Sequence, residues 1–246
     1  MPADAPLYAQ VEHALSARLG VDLCPGDRMP TEDELIAEFG VSRITVRRAI
    51  QNLAAKDLIV TKRGQGSFVA APHIKQPLTA LTGFVEDMEA QGLPSRARVV
   101  KIEEIIAPPD ARRALELPLG AQITHIQRVR LAVGHPVSFD DTYLPVELGR
   151  LVAQEDLENE QIFTLLESRH RTPLVEAAYA LQASTANAEV AEALQIAEGD
   201  AVFRIERTSF TIGQRPVDHE ILHYRGDAIT FTTRLPRPEK GMEEQR

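Results

Sequence analysis

Apolar residues recur at helical spacing in three successive segments near the start of the chain, then give way to short extended runs. Leu7, Val11, Ala14 and Leu15 put one stripe on a first helix that should end near Gly20. Thr31 followed by Glu34 is a capping box opening a short helix through Phe39, and Gly40 supplies a left-handed stop. Ser42 caps the next helix, on which Val46, Ala49, Ile50 and Leu53 fall at i, i+3, i+4 and i+7. Two helices joined by a tight turn containing glycine form a helix-turn-helix, whose second helix can enter a major groove. Leu58 to Thr61 and Ser67 to Ala70 read as two strands around the tip Lys62-Arg63-Gly64-Gln65-Gly66, a wing with bare backbone flanked by cations.

Past the wing the pattern changes twice. Residues 71–77 hold two prolines and no periodicity and read as a linker, and 81–91 read as a short amphipathic helix stopped by Gly92 and Pro94. Strict alternation returns at 122–132. The remainder repeats itself at an offset of 79: residues 114–130 lie over 193–209, with Ala114 on Ala193, Gly120 on Gly199 and Arg128 on Arg207. After one insertion, Pro136-Val137 falls on Pro216-Val217. Each copy reads strand, short helix, long strand, Gly-x-Pro turn, strand, which predicts an α+β domain on one antiparallel sheet with a ligand between the copies. The expected division is 1–72 for the winged helix, 73–94 for the linker, 95–238 for the second domain and 239–246 for a disordered charged tail.

Charge sharpens this division. From Arg43 to Arg63 six cations (Arg43, Arg47, Arg48, Lys56, Lys62, Arg63) meet one acid, Asp57, in a chain of 246 residues with net charge −9. Duplex DNA needs cations for its phosphates and exposed side chains at a helix start for its bases. Residues 1–72 are close to neutral, so the acidity lies in the second domain, which suits a small-molecule site better than nucleic acid. A single cysteine, Cys24, excludes an internal disulfide framework and a zinc cluster of cysteines, and fits the cytoplasm. The start MPADAPLYAQ lacks the charged and apolar regions of a signal peptide, and no apolar run is long enough to span a bilayer.

Two constellations in the second domain carry candidate chemistry. Arg128 and Arg130 point the same way on a strand, Asp140 lies past the hairpin turn, and Asp218 holds the comparable place in the second copy. Such a set is either an anion site or a salt-bridged surface in which Arg128 spans the hairpin to Asp140. His219 to His223 spell H-E-x-x-H, the zinc-protease signature, with Glu239, Glu243 and Glu244 as third-ligand candidates. The repeat and the flanking Gly213, Pro216 and Gly226 place this motif on a strand, where residues four apart are roughly 13 Å from each other and cannot share an ion. No metal or cofactor is expected.

The stretch from Tyr8 to Val69, with PGDRMP, GVSR-x-TVR and GQGSFV, resembles the winged helix of the GntR family of bacterial transcription regulators. The resemblance implies DNA contacts by Ser42, Arg43, Thr45 and Arg47 and by Arg63, Gly64, Gln65 and Gly66. The family often has Arg where Asp33 stands, so a DNA contact expected there is missing. Residues 95–236, with RVR-x₃-GHPVSFDDTYLP and FRIERTSFTIGQRPVDHEILHYRGDAITF, resemble the UTRA effector domain of the HutC branch, whose fold is similar to chorismate lyase. That implies Arg128, Arg130, Asp140, Asp218 and Tyr224 as effector contacts. Gly83 and Gln161 replace hydroxyls expected near a phosphate, which leaves a carboxylate or another organic anion open. The expectation is a homodimeric repressor reading a pseudo-palindromic operator and released by a small metabolite. A chorismate-lyase-like enzyme would leave the winged helix idle, and an architectural DNA-binding protein would not need the acidic domain.

Overall fold

The computed structural model describes residues 5–71, 73–78 and 84–235. Its head begins with α1 (Leu7–Arg18), which turns Val11 and Leu15 inward and leaves Leu7, the expected start of the stripe, in solvent. α2 (Glu32–Phe39) opens on the expected capping box: the Thr31 N–H donates to Glu34 at 2.7 Å while the Glu34 N–H donates to the Thr31 hydroxyl. It ends on Gly40 in the left-handed region, φ 63°. α3 (Arg43–Ala55) is capped by the Ser42 hydroxyl, which accepts from the Thr45 N–H, and buries Val46, Ala49 and Leu53. The wing is β1 (Ile59–Lys62) against β2 (Gly66–Val69), antiparallel, with Lys62 opposite Gly66.

The supposed linker is not aperiodic. β3 (Ile74–Pro77) buries Ile74 and Gln76, exposes Lys75 and Pro77, and is followed by α4 (Phe84–Ala90). Four residues are too few for alternation to stand out from chance, and β3's partner lies at the other end of the chain. Residues 81–83, the expected first turn of α4, lie outside the described residues.

The body contains β4 (Ser95–Ile106), α5 (Pro109–Ala114), β5 (Gln122–Ala132), β6 (His135–Pro145), α6 (Val146–Val152) and α7 (Ile162–Ser168). The second copy follows as β7 (Glu176–Thr185), α8 (Ala188–Leu194), β8 (Ala201–Thr211) and β9 (Arg215–Arg225). β10 (Ile229–Thr232) then runs parallel to β3, Ile229 beside Ile74. The six long strands form one antiparallel sheet in the order β4-β5-β6-β9-β8-β7. The duplication is therefore visible in the topology: the copies meet along β6 and β9, where Asp141 faces Ile221.

Side-chain alternation divides the sheet's residues between two layers. Ile126 and Leu144 pack with Leu165 and Leu166 of α7 on one side, whereas Val129 and Phe139 pack against Val190 and Leu194 of α8 on the other. The largest apolar cluster is not confined to either unit. It runs from Leu15, Leu19 and Leu53 in the head through Val69, Ile74 and Phe84 to Ala132, Val133 and Leu222 in the body.

Candidate nucleic-acid interface and effector cavity

At the start of α3, Ser42, Arg43 and Arg47 are exposed and Thr45 is half-buried, while the wing tip presents Arg63, Gly64 and Gln65 to solvent with Gly66 half-buried behind them. A groove between α3 and the wing is lined by Arg28, Thr31, Glu32, Arg47, Gln51 and Thr61. Of the expected contacts, Arg47 and Gly66 line this groove. The charge of the head is another matter. Arg48 stacks over the Tyr8 ring at 3.9 Å, Lys56 pairs with Glu12 at 2.7 Å, and Lys62 lies over Phe68 at 4.9 Å. Arg43 and Arg47 are engaged by Asp33 and Glu32 from the first turn of α2. Arg63 has no ion pair among the described residues. Counting charge along a stretch missed these acids, because the α2–α3 turn folds them onto α3. Arg28 was also missed. Its guanidinium lies beneath Gly66, where an added Cβ would be 3.2 Å from Nε.

In the body, Arg128 and Arg130 project from the α7 side of β5 into a cavity also lined by Phe84, Arg96, Phe163, Arg207 and Glu220. Arg128, Arg130 and Arg207 are buried while Arg96 is exposed, and the counter-charges of Arg130 and Arg207 come from neighbouring strands. Arg130 pairs with Asp140 and Arg207 with Glu220, and the Glu220 Oε1 lies 3.9 Å from Arg130. Arg207 also stacks over Phe163 at 4.0 Å, and Arg130 over Phe84 at 5.3 Å. Arg128 is the least satisfied. It donates through Nη1 to the Leu157 carbonyl at 3.3 Å, but its Nε has no hydrogen-bond partner among the described residues. Burial, then the neighbouring Arg130, pulls its pKa down to about 10. Burial is again the largest influence on Arg130, yet Asp140, Tyr224 and Asp218 together outweigh it and the pKa rises.

Asp140 and Asp218 do not line the cavity. Both are fully buried behind it: Asp140 accepts from Ser138, and Asp218 accepts from the Ser209 hydroxyl at 3.1 Å. Burial pushes the Asp218 carboxyl up to about 6, against the pull of Arg207. Tyr224 lines an adjacent pocket beside Arg130 and Phe231, with its phenol pushed up to about 12 by burial. The cavity itself is small, about 30 Å³, room for water rather than for a metabolite. Gln161, one of the two departures from the family pattern, lines it, while Gly83 lies outside the described residues.

The strand registers correct one expectation. Arg128 faces Asp140 across the first hairpin, and Arg207 faces Glu220 across the second. Glu220, not Asp218, therefore holds the place comparable to Asp140, because the insertion before Pro216 shifts the copies by one more residue. The ion pair to Asp140 is made by Arg130, not by Arg128. Arg207 and Glu220 are legible in the sequence as repeat mates of Arg128 and Asp140, although Glu220 also stands inside H-E-x-x-H.

That motif lies on β9. His219 is buried against Tyr143, ring centroids 6.1 Å apart, and its Nδ1 hydrogen-bonds the Thr208 hydroxyl at 2.9 Å. Glu220 points to the opposite face and holds Arg207. Among the described residues no group of three or more His, Cys, Asp or Glu could hold a metal ion. The proposed third ligands in 239–244 lie outside the described residues. The zinc-protease geometry is contradicted: extended backbone sends neighbouring side chains to opposite faces and separates the histidines.

Comparison with known proteins matches both halves of this description. The family model for bacterial regulatory proteins of the gntR family covers residues 7–69, and the UTRA domain model covers residues 90–230. The HTH-type transcriptional repressor NagR of Bacillus subtilis is 31% identical over 94% of this chain and 96% of its own length. A histidine utilization repressor of Pseudomonas putida is 29% identical over 87% of this chain and 85% of its own. The crystal structure of PhnF from Mycobacterium smegmatis superposes with a TM-score of 0.65 at 26% identity, covering 93% of this chain and 100% of that one. The relatives that share this winged helix and second domain are named as transcription regulators, not as enzymes. The chain belongs to the GntR family of bacterial transcription regulators and carries a UTRA effector domain, which makes it a ligand-responsive DNA-binding protein.

Proposed function

We propose that the chain is a cytoplasmic repressor that binds a pseudo-palindromic operator as a homodimer and leaves it when a small organic anion binds between the two copies of its repeat. Ser42, Arg43, Thr45 and Arg47 read the major groove, and Arg63 to Gly66 follow the backbone or minor groove. Relatives named for histidine and for fructoselysine utilization are repressors, which favours repression as the direction.

The observation that carries the effector reading is the unpartnered Nε of Arg128 in a cavity walled by buried guanidiniums. A buried cation without full pairing is costly, and a bound carboxylate with two oxygens repairs that cost. A cavity of about 30 Å³ has to widen to admit it. Phe84 is the wall best placed to move, since it belongs to α4 and also to the apolar cluster that reaches the head. An anion that binds the widened form better than the tight one shifts the balance between them, and with it the spacing of two heads.

The test is a thermal-shift screen of the full chain against small carboxylates and phosphorylated sugars, followed by operator binding with each hit. A carboxylate hit raises the melting temperature by mass action and weakens operator binding. Stabilisation confined to phosphorylated sugars would overturn the assignment of the anion. Carboxylate hits that leave operator affinity unchanged would overturn the coupling.

A further inference from the structure

The N-terminal ends of α2 and α3 meet, and the meeting places acids against the reading arginines. Arg43 donates through Nη2 to Asp33 Oδ1, and its Nη1 lies 3.9 Å from Glu32 Oε2. Arg47, one turn further along α3, donates through Nε to both Glu32 oxygens at 2.9 and 3.1 Å. The side chains remain wet: Arg43 is 54% exposed, Arg47 59% and Asp33 77%.

Exposed ion pairs of this sort add little to folding stability, so the consequence of this one lies at the DNA. Sequence-independent affinity comes from cations that neutralise phosphates and release their counterions. A guanidinium already neutralised within the free protein gains less from a phosphate, and the carboxylate it leaves is repelled by that same phosphate. A guanine in the right place offers O6 and N7 to both guanidinium nitrogens and compensates for the exchange. Discrimination of this kind needs a repulsive element as well as an attractive one.

We propose that Asp33 is a specificity-determining residue: by pairing with Arg43 it suppresses binding to arbitrary duplex DNA and leaves operator binding dependent on base contacts. This rests on the reading of the α3 start as the groove-facing surface. Glu32 does the same for Arg47 from a less exposed position.

Asp33→Asn removes the charge and keeps the shape on an exposed first turn. Wild type, D33N, R43A and the double variant are titrated as full chains onto a random-sequence duplex and onto an operator selected by the wild type from a randomised pool. Between about 50 and 200 mM salt, D33N should bind the random duplex roughly 3- to 10-fold tighter, with a salt slope steeper by about one per protomer. The operator-to-random ratio should shrink, and the gain should vanish when Arg43 is already Ala. An unchanged slope and ratio in D33N, with R43A still impaired on the operator, overturns the proposal and leaves the reading of α3 intact. A gain that persists in the R43A background is a general charge effect and also overturns it. R43A binding the operator like wild type sinks the reading of α3 itself.

Discussion

Gly20, just after α1, and Gly134, in the β5–β6 turn, meet backbone to backbone. A Cβ on Gly20 would stand 2.2 Å from the Gly134 nitrogen, and one on Gly134 would stand 2.4 Å from the Gly20 Cα. The strand that carries Arg128 and Arg130 therefore ends against the DNA-binding head. Head and body touch through this turn as well as through the apolar cluster that includes Phe84 and Met88 of α4.

Gly20→Ala should loosen that seat. It adds the strain of an L side chain at φ +78° to a backbone clash, together about 2–4 kcal/mol. Gly26→Ala is the matched control, since Gly26 has φ +92° with nothing within 4 Å of an added Cβ. G20A should melt below G26A and show a smaller change in operator affinity on anion binding. Equal melting curves and equal responses would remove the contact from the mechanism.

Arg47→Ala should lose sequence-specific binding, a deficit of about 1–3 kcal/mol per lost bidentate base contact. Arg128→Ala should bind the operator normally and no longer respond to the anion. Fluorescence anisotropy with and without the anion separates the two. Equal loss of DNA binding in both variants would contradict the division between head and body.

Effector affinity should depend on pH through Asp218. Its folded pKa, raised by burial to about 6, lies above the unfolded value, so the native state holds this proton more tightly. Asp218 therefore destabilises the fold increasingly as pH rises from about 4 to about 6, and fully above that. Protonation also removes a negative charge that competes for Arg128. Anion affinity, measured by calorimetry, should rise as pH falls from 7 to below 6, and D218N should flatten the curve. An identical pH dependence in D218N would exclude Asp218 as the titrating group.

Glu220→Ala should destabilise the body by about 3–5 kcal/mol, because it leaves the buried Arg207 without its partner. Urea unfolding reads this directly. Adding a chelator or zinc should change neither the melting temperature nor operator binding, whereas a zinc-dependent shift would revive the metal reading of His219 and His223.

Most of the head was legible because its signals are local. Thr31 with Glu34, Gly40 and Ser42 fix helix ends through bonds spanning three or four residues, and those bonds are present. The duplicated body was legible because self-similarity survives wherever the copies share a core: α5 and α8, and β5 and β8, start at equivalent places. What escaped depends on contacts between distant segments. Asp33 is an ordinary first-turn acid until the turn at Gly40 folds it onto Arg43. Glu220 looked like part of a metal motif until strand register set it against Arg207. Arg96 reaches the cavity through edge-strand geometry that periodicity does not encode.

The parallel pairing of β3 with β10 bears on how the protein is made. A chain leaving the ribosome completes its winged helix early, long before Ile229 is available to cover Ile74. Until then the newborn head can already possess its DNA-facing surface while the junction beneath it stays unsealed. A message truncated ahead of residue 229 would leave Ile74 without the neighbour it packs beside, and the junction beneath the head open.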